Sequence, residues 1–374
     1  MRKAKRRKNR RRRLILLCGL LFLAACTAKP KKAQVLTQAC MHNLLSQTAF
    51  SQDKVYVAEK TSQGVQLSVI SVKEKTQSPL CSLSYESEEE KSTLWAESTR
   101  LFYHRNSLYA VQNGGVSRIL RVNENGSEQE VCRLAPGEGF GNAVFGWGED
   151  VLAEIQAPKG KARLVSINLQ TGRQKKLCGY PQKPKDYYSA ISFVQDKLVF
   201  LYMGEEGNQY FWLDPARPKH SIQSNRRRMP ITGLFDDVNL SQVLLDETLC
   251  TLDYRANAVS YENLATGKKI KFPLPKQKAG ESIIGPYVWF DEVYALAIKN
   301  QNGGLISAVL DKITGKASAK ISHTEEHLNS VVAVYPDVIV YQDKAQGPDR
   351  YCVASKEDFL CQNPGTSVQG DKDG

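Results

Sequence analysis

Arg163–Leu177 reads RLVSINLQTGRQKKL. Val165 and Ile167 alternate with Ser166 and Asn168, the period of two that marks a half-buried strand. Thr171-Gly172 follows as a tight turn, with Gly172 supplying a positive φ at low steric cost. A return strand begins at once. The unit recurs along the chain. The residue just after the first strand of each copy is Lys73, Asn123, Asn168, Asp214, Asn263, Asp311 or Ser355, so the copies lie 44 to 50 residues apart. Three turns share Thr-Gly (Thr171-Gly172, Thr266-Gly267, Thr314-Gly315), and Asn or Asp at the anchor caps such a turn through its side chain.

Each unit carries an earlier apolar strand: 55–59, 100–104, 151–155, 198–202, 248–252, 293–298 and 338–342. Upstream of most lies another apolar segment ending in a short polar or acidic turn, such as Trp147-Gly148-Glu149-Asp150. All-strand units of this period are the signature of β-propeller blades. The fold is therefore expected to be all-β: a seven-bladed β-propeller over residues 35–363, with six or eight blades as alternatives. Either residues 33–50 add a strand to the last blade, or that blade closes by packing alone. The last unit is expected to end in a hairpin, Tyr351–Cys361, turning at Lys356-Glu357. Residues 364–374 read as a disordered tail.

The formal net charge of +12 invites a nucleic-acid reading, and its distribution removes it. Ten of the basic residues lie in residues 1–13; from Cys26 onward 41 basic residues face 39 acidic ones. After the basic run comes Leu14–Ala25, an uncharged stretch too short for a stable membrane span and of signal-peptide length. It ends in Leu23-Ala24-Ala25-Cys26, which resembles the lipobox of bacterial lipoprotein signal peptides. The resemblance implies cleavage after residue 25, acylation of Cys26, and a tether over residues 26–34 that holds a domain outside the cytoplasm at the cell membrane. In a cell with two membranes, the absence of Asp at position 27 favours the outer one.

Candidate chemistry is sparse. Trp95, Trp147 and Trp289 occupy equivalent places in their units, which argues for packing between blades rather than ligand stacking. Cys352 and Cys361 would face each other across the last hairpin and are a candidate structural disulfide. Cys81, Cys132, Cys178 and Cys361 fall late in outer strands and read as small apolar residues. His323 and His327 reverse the spacing of a zinc motif and read as a loop; no metal site or cofactor is expected. Arg226, Arg227 and Arg228, placed in a loop between units four and five, are a candidate contact for an anionic surface.

The segment Ser107–Leu134 resembles units of bacterial TolB-like propellers and of the YWTD propellers of receptor ectodomains, on Leu108, Tyr109, Ile119, Arg121, Asn123, Gly126 and Ser127. The resemblance supports the fold and implies extracytoplasmic binding or scaffolding; it transfers no catalytic residue. The leading expectation is a monomeric, non-enzymatic binding module for an envelope protein or polysaccharide. The competing expectation is a propeller enzyme of lyase, lactonase or glycosidase type. A cluster of charged residues from several blades at the channel mouth would favour the enzyme.

Overall fold

A computed structural model describes most of residues 33–370; residues 1–32, 36–47, 85–98, 230–239, 371–374 and several short connections lie outside the description. The lipobox residues Leu23, Ala24, Ala25 and Cys26 and the ring of Trp95 fall among these. The chain is all-β with a propeller-type architecture. The described strands form seven sheets in chain order, each built on four strands that run antiparallel to their neighbours. The third sheet shows the pattern: Gly139–Trp147, Asp150–Ala157, Lys161–Asn168 and Gln174–Gly179 pair in sequence order.

The first of each sheet's four strands lies on its inner side, with Ala33–Val35 added beyond it in the third. First strands of neighbouring sheets lie side by side, as with Thr48–Phe50 against Arg100–His104 and Gly139–Trp147 against Tyr187–Val194. The core is therefore a series of apolar layers between sheets. Phe102, Tyr109 and Ile119 of the second sheet interlock with Val144, Val151 and Ile167 of the third. Phe145, Trp147 and Leu164 of the third meet Phe193, Leu198 and Phe200 of the fourth. Trp147 stacks on Phe193 at 6.1 Å, so this tryptophan packs between two sheets as its repeated position implies.

The turns carry the repeat physically. Asn168 Oδ1 accepts from the Thr171 amide and hydroxyl, both at 2.9 Å, and Asn263 does the same for Thr266 at 2.8 and 3.0 Å. Gly172 and Gly267 hold φ of 69° and 72°. These turns also reach across to the preceding sheet. A methyl group on Gly126 would lie 2.6 Å from the Leu80 carbonyl oxygen, and one on Gly172 would overlap the Val131 carbonyl oxygen. Leu80 and Val131 are each the extra residue of a bulge in an outer strand, just before Cys81 and Cys132. A third such bulge precedes Cys178. Burial pushes the thiols of Cys81, Cys132 and Cys178 up to about 11, so they pack as apolar groups and are weak nucleophiles at neutral pH.

Five expectations are corrected here. Arg100–His104 is the first strand of its sheet, whereas the other six early strands are second strands. The reason is a tight turn without glycine, in which Arg105 and Asn106 take φ of 49° and 61°. The last unit does not turn as a hairpin at Lys356-Glu357. Ser355 Oγ accepts from the Asp358 amide at 3.0 Å and donates to its carboxylate at 2.6 Å, which starts a short helix over Lys356–Cys361. Phe359 anchors that helix, fully buried against Tyr341 at 5.2 Å. Arg226, Arg227 and Arg228 lie on the outer strand Gln223–Met229 rather than in a loop.

The fourth correction concerns the tail. Thr366–Ser367 is the outer strand of the seventh sheet, and Gln369–Gly370 pairs in parallel with Thr76-Gln77 of the first. Val368 donates to the Tyr351 carbonyl at 2.8 Å and Gln369 to that of Lys75 at 2.9 Å, so the tail stitches the last sheet to the first. The two sheets also share a core of Val55, Ile70, Tyr335 and Val353. The N-terminal segment, in turn, adds a strand to the third sheet and not the last: Ala33–Val35 pairs antiparallel with Phe145–Trp147. Deleting residues 365–374 removes at least four hydrogen bonds and the packing of Val368, and is expected to cost about 2 kcal/mol. Denaturant unfolding of the truncated chain checks this; an unchanged midpoint would show that the stitch is idle.

Candidate functional site

The sheets have two ends. At one lie the hairpin turns, Trp147–Asp150 and Asn168–Arg173 in the third sheet. At the other the chain crosses from sheet to sheet, and there the second and third sheets assemble charged and polar side chains around the inner edge. Arg100 opens the inner strand of the second sheet and is 1 % exposed. Its guanidinium donates to the carbonyls of Phe140, at 3.1 Å, and Gly141. Its Nε has no acceptor among the described residues. Burial pulls its pKa down to about 10, the mark of a cation taken out of water at a cost.

The two carbonyls belong to an irregular piece of strand. Gly139–Trp147 pairs regularly with Asp150–Ala157 through Phe140, then slips, and resumes at Val144. Bulges of this kind re-aim groups beside functional sites. Asn113 clamps the entry to the bulge, accepting from the Phe140 amide and donating to its carbonyl, both at 2.9 Å. Glu154 comes from the second strand of the third sheet and is buried. A methyl group on Gly141 would lie 3.0 Å from Glu154 Oε1, so the bare Cα of this glycine is what lets the carboxylate come up against the inner strand. Gln156 Nε2 donates to the same oxygen at 3.2 Å. Just outside, Arg163 and Glu138 form a two-pronged ion pair at 2.5 and 2.8 Å, which holds the Glu138 carboxyl below its usual range.

Of the residues singled out from the sequence, none lies in this cluster. The side chains of Arg226–Arg228, Trp289 and Cys361 lie outside the described residues, as does His327. Cys352 pairs across strands with Ser367, its sulfur 3.9 Å from Ser367 Oγ, while Cys361 ends the helix, so the cross-strand facing expected of these cysteines does not form. His323 closes the strand Ala317–His323 rather than sitting in a loop. Among the described residues no three His, Cys, Asp or Glu side chains gather around a common point that a metal ion could occupy. Arg100 and Glu154 were both visible in the sequence, as charges interrupting the apolar strands RLFYH and VLAEI.

No family model matches the chain, and no curated protein sequence does either. Solved structures do. A putative 6-phosphogluconolactonase from Bacteroides fragilis is similar at 9 % identity and a TM-score of 0.51, with 92 % of this chain and 97 % of that chain covered. An oligogalacturonate lyase in complex with manganese is similar at 9 % identity and a TM-score of 0.49, covering 87 % and 92 %. The periplasmic gluconolactonase of Pseudomonas aeruginosa is similar at 10 % identity and a TM-score of 0.47, covering 91 % and 95 %. Likeness at this identity establishes the fold and assigns no substrate. It does correct the leading functional expectation, since the similar structure with a TM-score of 0.51 is named as a putative lactonase and not as a non-enzymatic scaffold.

Proposed function

We propose that the seven sheets are the blades of one ring, and that this ring is a propeller enzyme of lyase, lactonase or glycosidase type acting on a carbohydrate-derived substrate outside the cytoplasm. The observation that carries the reading is that Arg100 and Glu154, both buried, converge on Gly141 in the inner-edge bulge at the crossover end, one holding its carbonyl and the other lying against its Cα. A desolvated guanidinium and a buried carboxylate on adjoining sheets destabilise a fold more often than they help it, and such groups concentrate where chemistry needs them. In this reading Glu154 is the general base or acid, moving a proton to or from the substrate or its attacking water. Arg100 is a positioning residue. By holding the carbonyls of Phe140 and Gly141 it fixes the glycine against which Glu154 rests.

The test is turnover. The purified chain is offered lactones of sugar acids, uronate polymers and aryl glycosides in parallel, with ring opening, unsaturated product and released phenol as the three readouts. Product from one class supports the reading; no product from any class, with and without added divalent ions, overturns it.

The same proposal includes the membrane anchor. The short apolar stretch and the Leu23-Ala24-Ala25-Cys26 resemblance support cleavage and acylation at Cys26. Cys26→Ala is expected to release the protein from the membrane fraction or leave its leader uncut. Unchanged anchoring and processing would refute the lipobox.

A further inference from the structure

We infer that the turn end of the third, fourth and fifth sheets is a docking surface for anionic lipid headgroups, which holds the ring with its crossover end facing away from the membrane. The inference rests on the Cys26 anchor and deepens it.

Two independent observations converge on that end. The first is where the chain comes in. Ala33 pairs with Trp147 and Val35 with Phe145, so the N-terminal strand enters beside the hairpin turn at Gly148-Glu149 and runs toward the crossover end. It pairs only with the regular half of Gly139–Trp147 and ends before the bulge that carries the candidate site. Residues 26–32 form the tether, and seven residues span at most about 25 Å when fully extended. An acylated Cys26 therefore keeps Ala33, and the turn end beside it, within about 25 Å of the bilayer surface.

The second is charge. The outer turns of these three neighbouring sheets, and the first residues of the strands that follow, carry Arg173, Lys175, Lys176, Arg217, Lys268 and Lys269, all exposed. Among the described residues of those outer turns the one acid is Asp214, whose carboxylate is engaged in its own turn by the Ala216 amide at 2.9 Å; the described acids of the inner turns at this end are Glu149, paired with Arg105, Asp150, held by Ser166 and Asn168, and Asp196 beside Lys197. The caps at the equivalent positions, Asn168 and Asn263, are neutral. The result is a basic arc on a chain that is close to neutral after residue 25, at the end where the tether holds it. Basic side chains near an anionic membrane surface are each attracted to it. The arc would turn a loose tether into a defined orientation and leave the crossover end open to substrate.

The experiment uses the full acylated protein in vesicles, floated on a density gradient and labelled with an amine-reactive probe. On vesicles containing phosphatidylglycerol, labelling of Lys175, Lys176, Lys268 and Lys269 should slow about five-fold relative to pure phosphatidylcholine, and recover in about 0.5 M salt. Lys161, at the start of its strand at the crossover end, should keep its rate on both. Equal rates on the two vesicle types, or protection of Lys161 instead, would overturn the docking surface while leaving the anchor standing. A chain that floats with neither vesicle type would overturn the anchor, and the orientation with it. Equal protection by soluble polyphosphate in detergent, with none added by vesicles, would assign the arc to a polyanion and overturn the lipid reading.

Discussion

Gly172→Val should lower the folding stability by about 3–5 kcal/mol, more than the same change at Gly267, which should cost about 1–3 kcal/mol. The two glycines occupy the same place in the same Asn-x-x-Thr-Gly turn, with φ of 69° and 72°. The conformational cost of a β-branched residue in the left-handed region is therefore common to both. Space separates them. A side chain on Gly172 would run into the Val131 carbonyl of the neighbouring sheet, whereas among the described residues nothing lies within 4 Å of the position a methyl would take on Gly267. The difference between the variants thus measures the contact between a turn and the bulge of the preceding sheet. Thermal and denaturant midpoints of the two variants decide it. Equal losses would mean that the turn conformation alone sets the cost and that the contact between sheets yields without strain.

That contact explains what could and could not be read from the sequence. Asn168, Thr171 and Gly172 announce the turn because every bond that defines it is local: the Asn168 side chain to Thr171, and the Gly172 amide to the Asn168 carbonyl at 2.8 Å. Repetition of that local pattern is enough for the architecture. The closures were harder, since they are long-range choices made by very short segments. Thr366–Ser367 and Gln369–Gly370 are two residues each, too short to show a period of two, and their partners lie on two different sheets. The helix after Ser355 was legible in principle: Ser-Lys-Glu-Asp carries the capping spacing, and the buried Phe359 sits one residue beyond it. It lost to the expectation of one more hairpin, because the preceding units supply a strong local template. The site was hidden for a different reason. Arg100 and Glu154 come from different units and share no motif, and what links them is Gly141, inside the slipped register between Phe140 and Val144, whose carbonyl Arg100 holds and against which Glu154 lies. A charge inside an apolar strand signals that something must compensate it, without saying what.

Glu154→Gln should reduce turnover by about 10²–10⁴-fold on whichever substrate class the wild-type chain converts, while leaving the melting midpoint nearly unchanged. The substitution keeps the shape of the side chain and the oxygen that accepts from Gln156 Nε2, and removes only the ability to take up or release a proton. Gly141 still leaves room for it, since the amide is no larger than the carboxylate. A loss in kcat with little change in KM, and disappearance of one limb of the pH profile, would be the mark of a group acting on the reacting atoms. Arg100→Lys provides the contrast. A lysine retains the positive charge but not the planar fork that reaches the Phe140 and Gly141 carbonyls together, so it should shift the bulge and raise KM as well as lower kcat, with the pH profile kept. Wild-type kcat and an intact pH profile in Glu154→Gln would remove Glu154 from the chemistry, and with it the reason for placing the reaction at this end of the sheets.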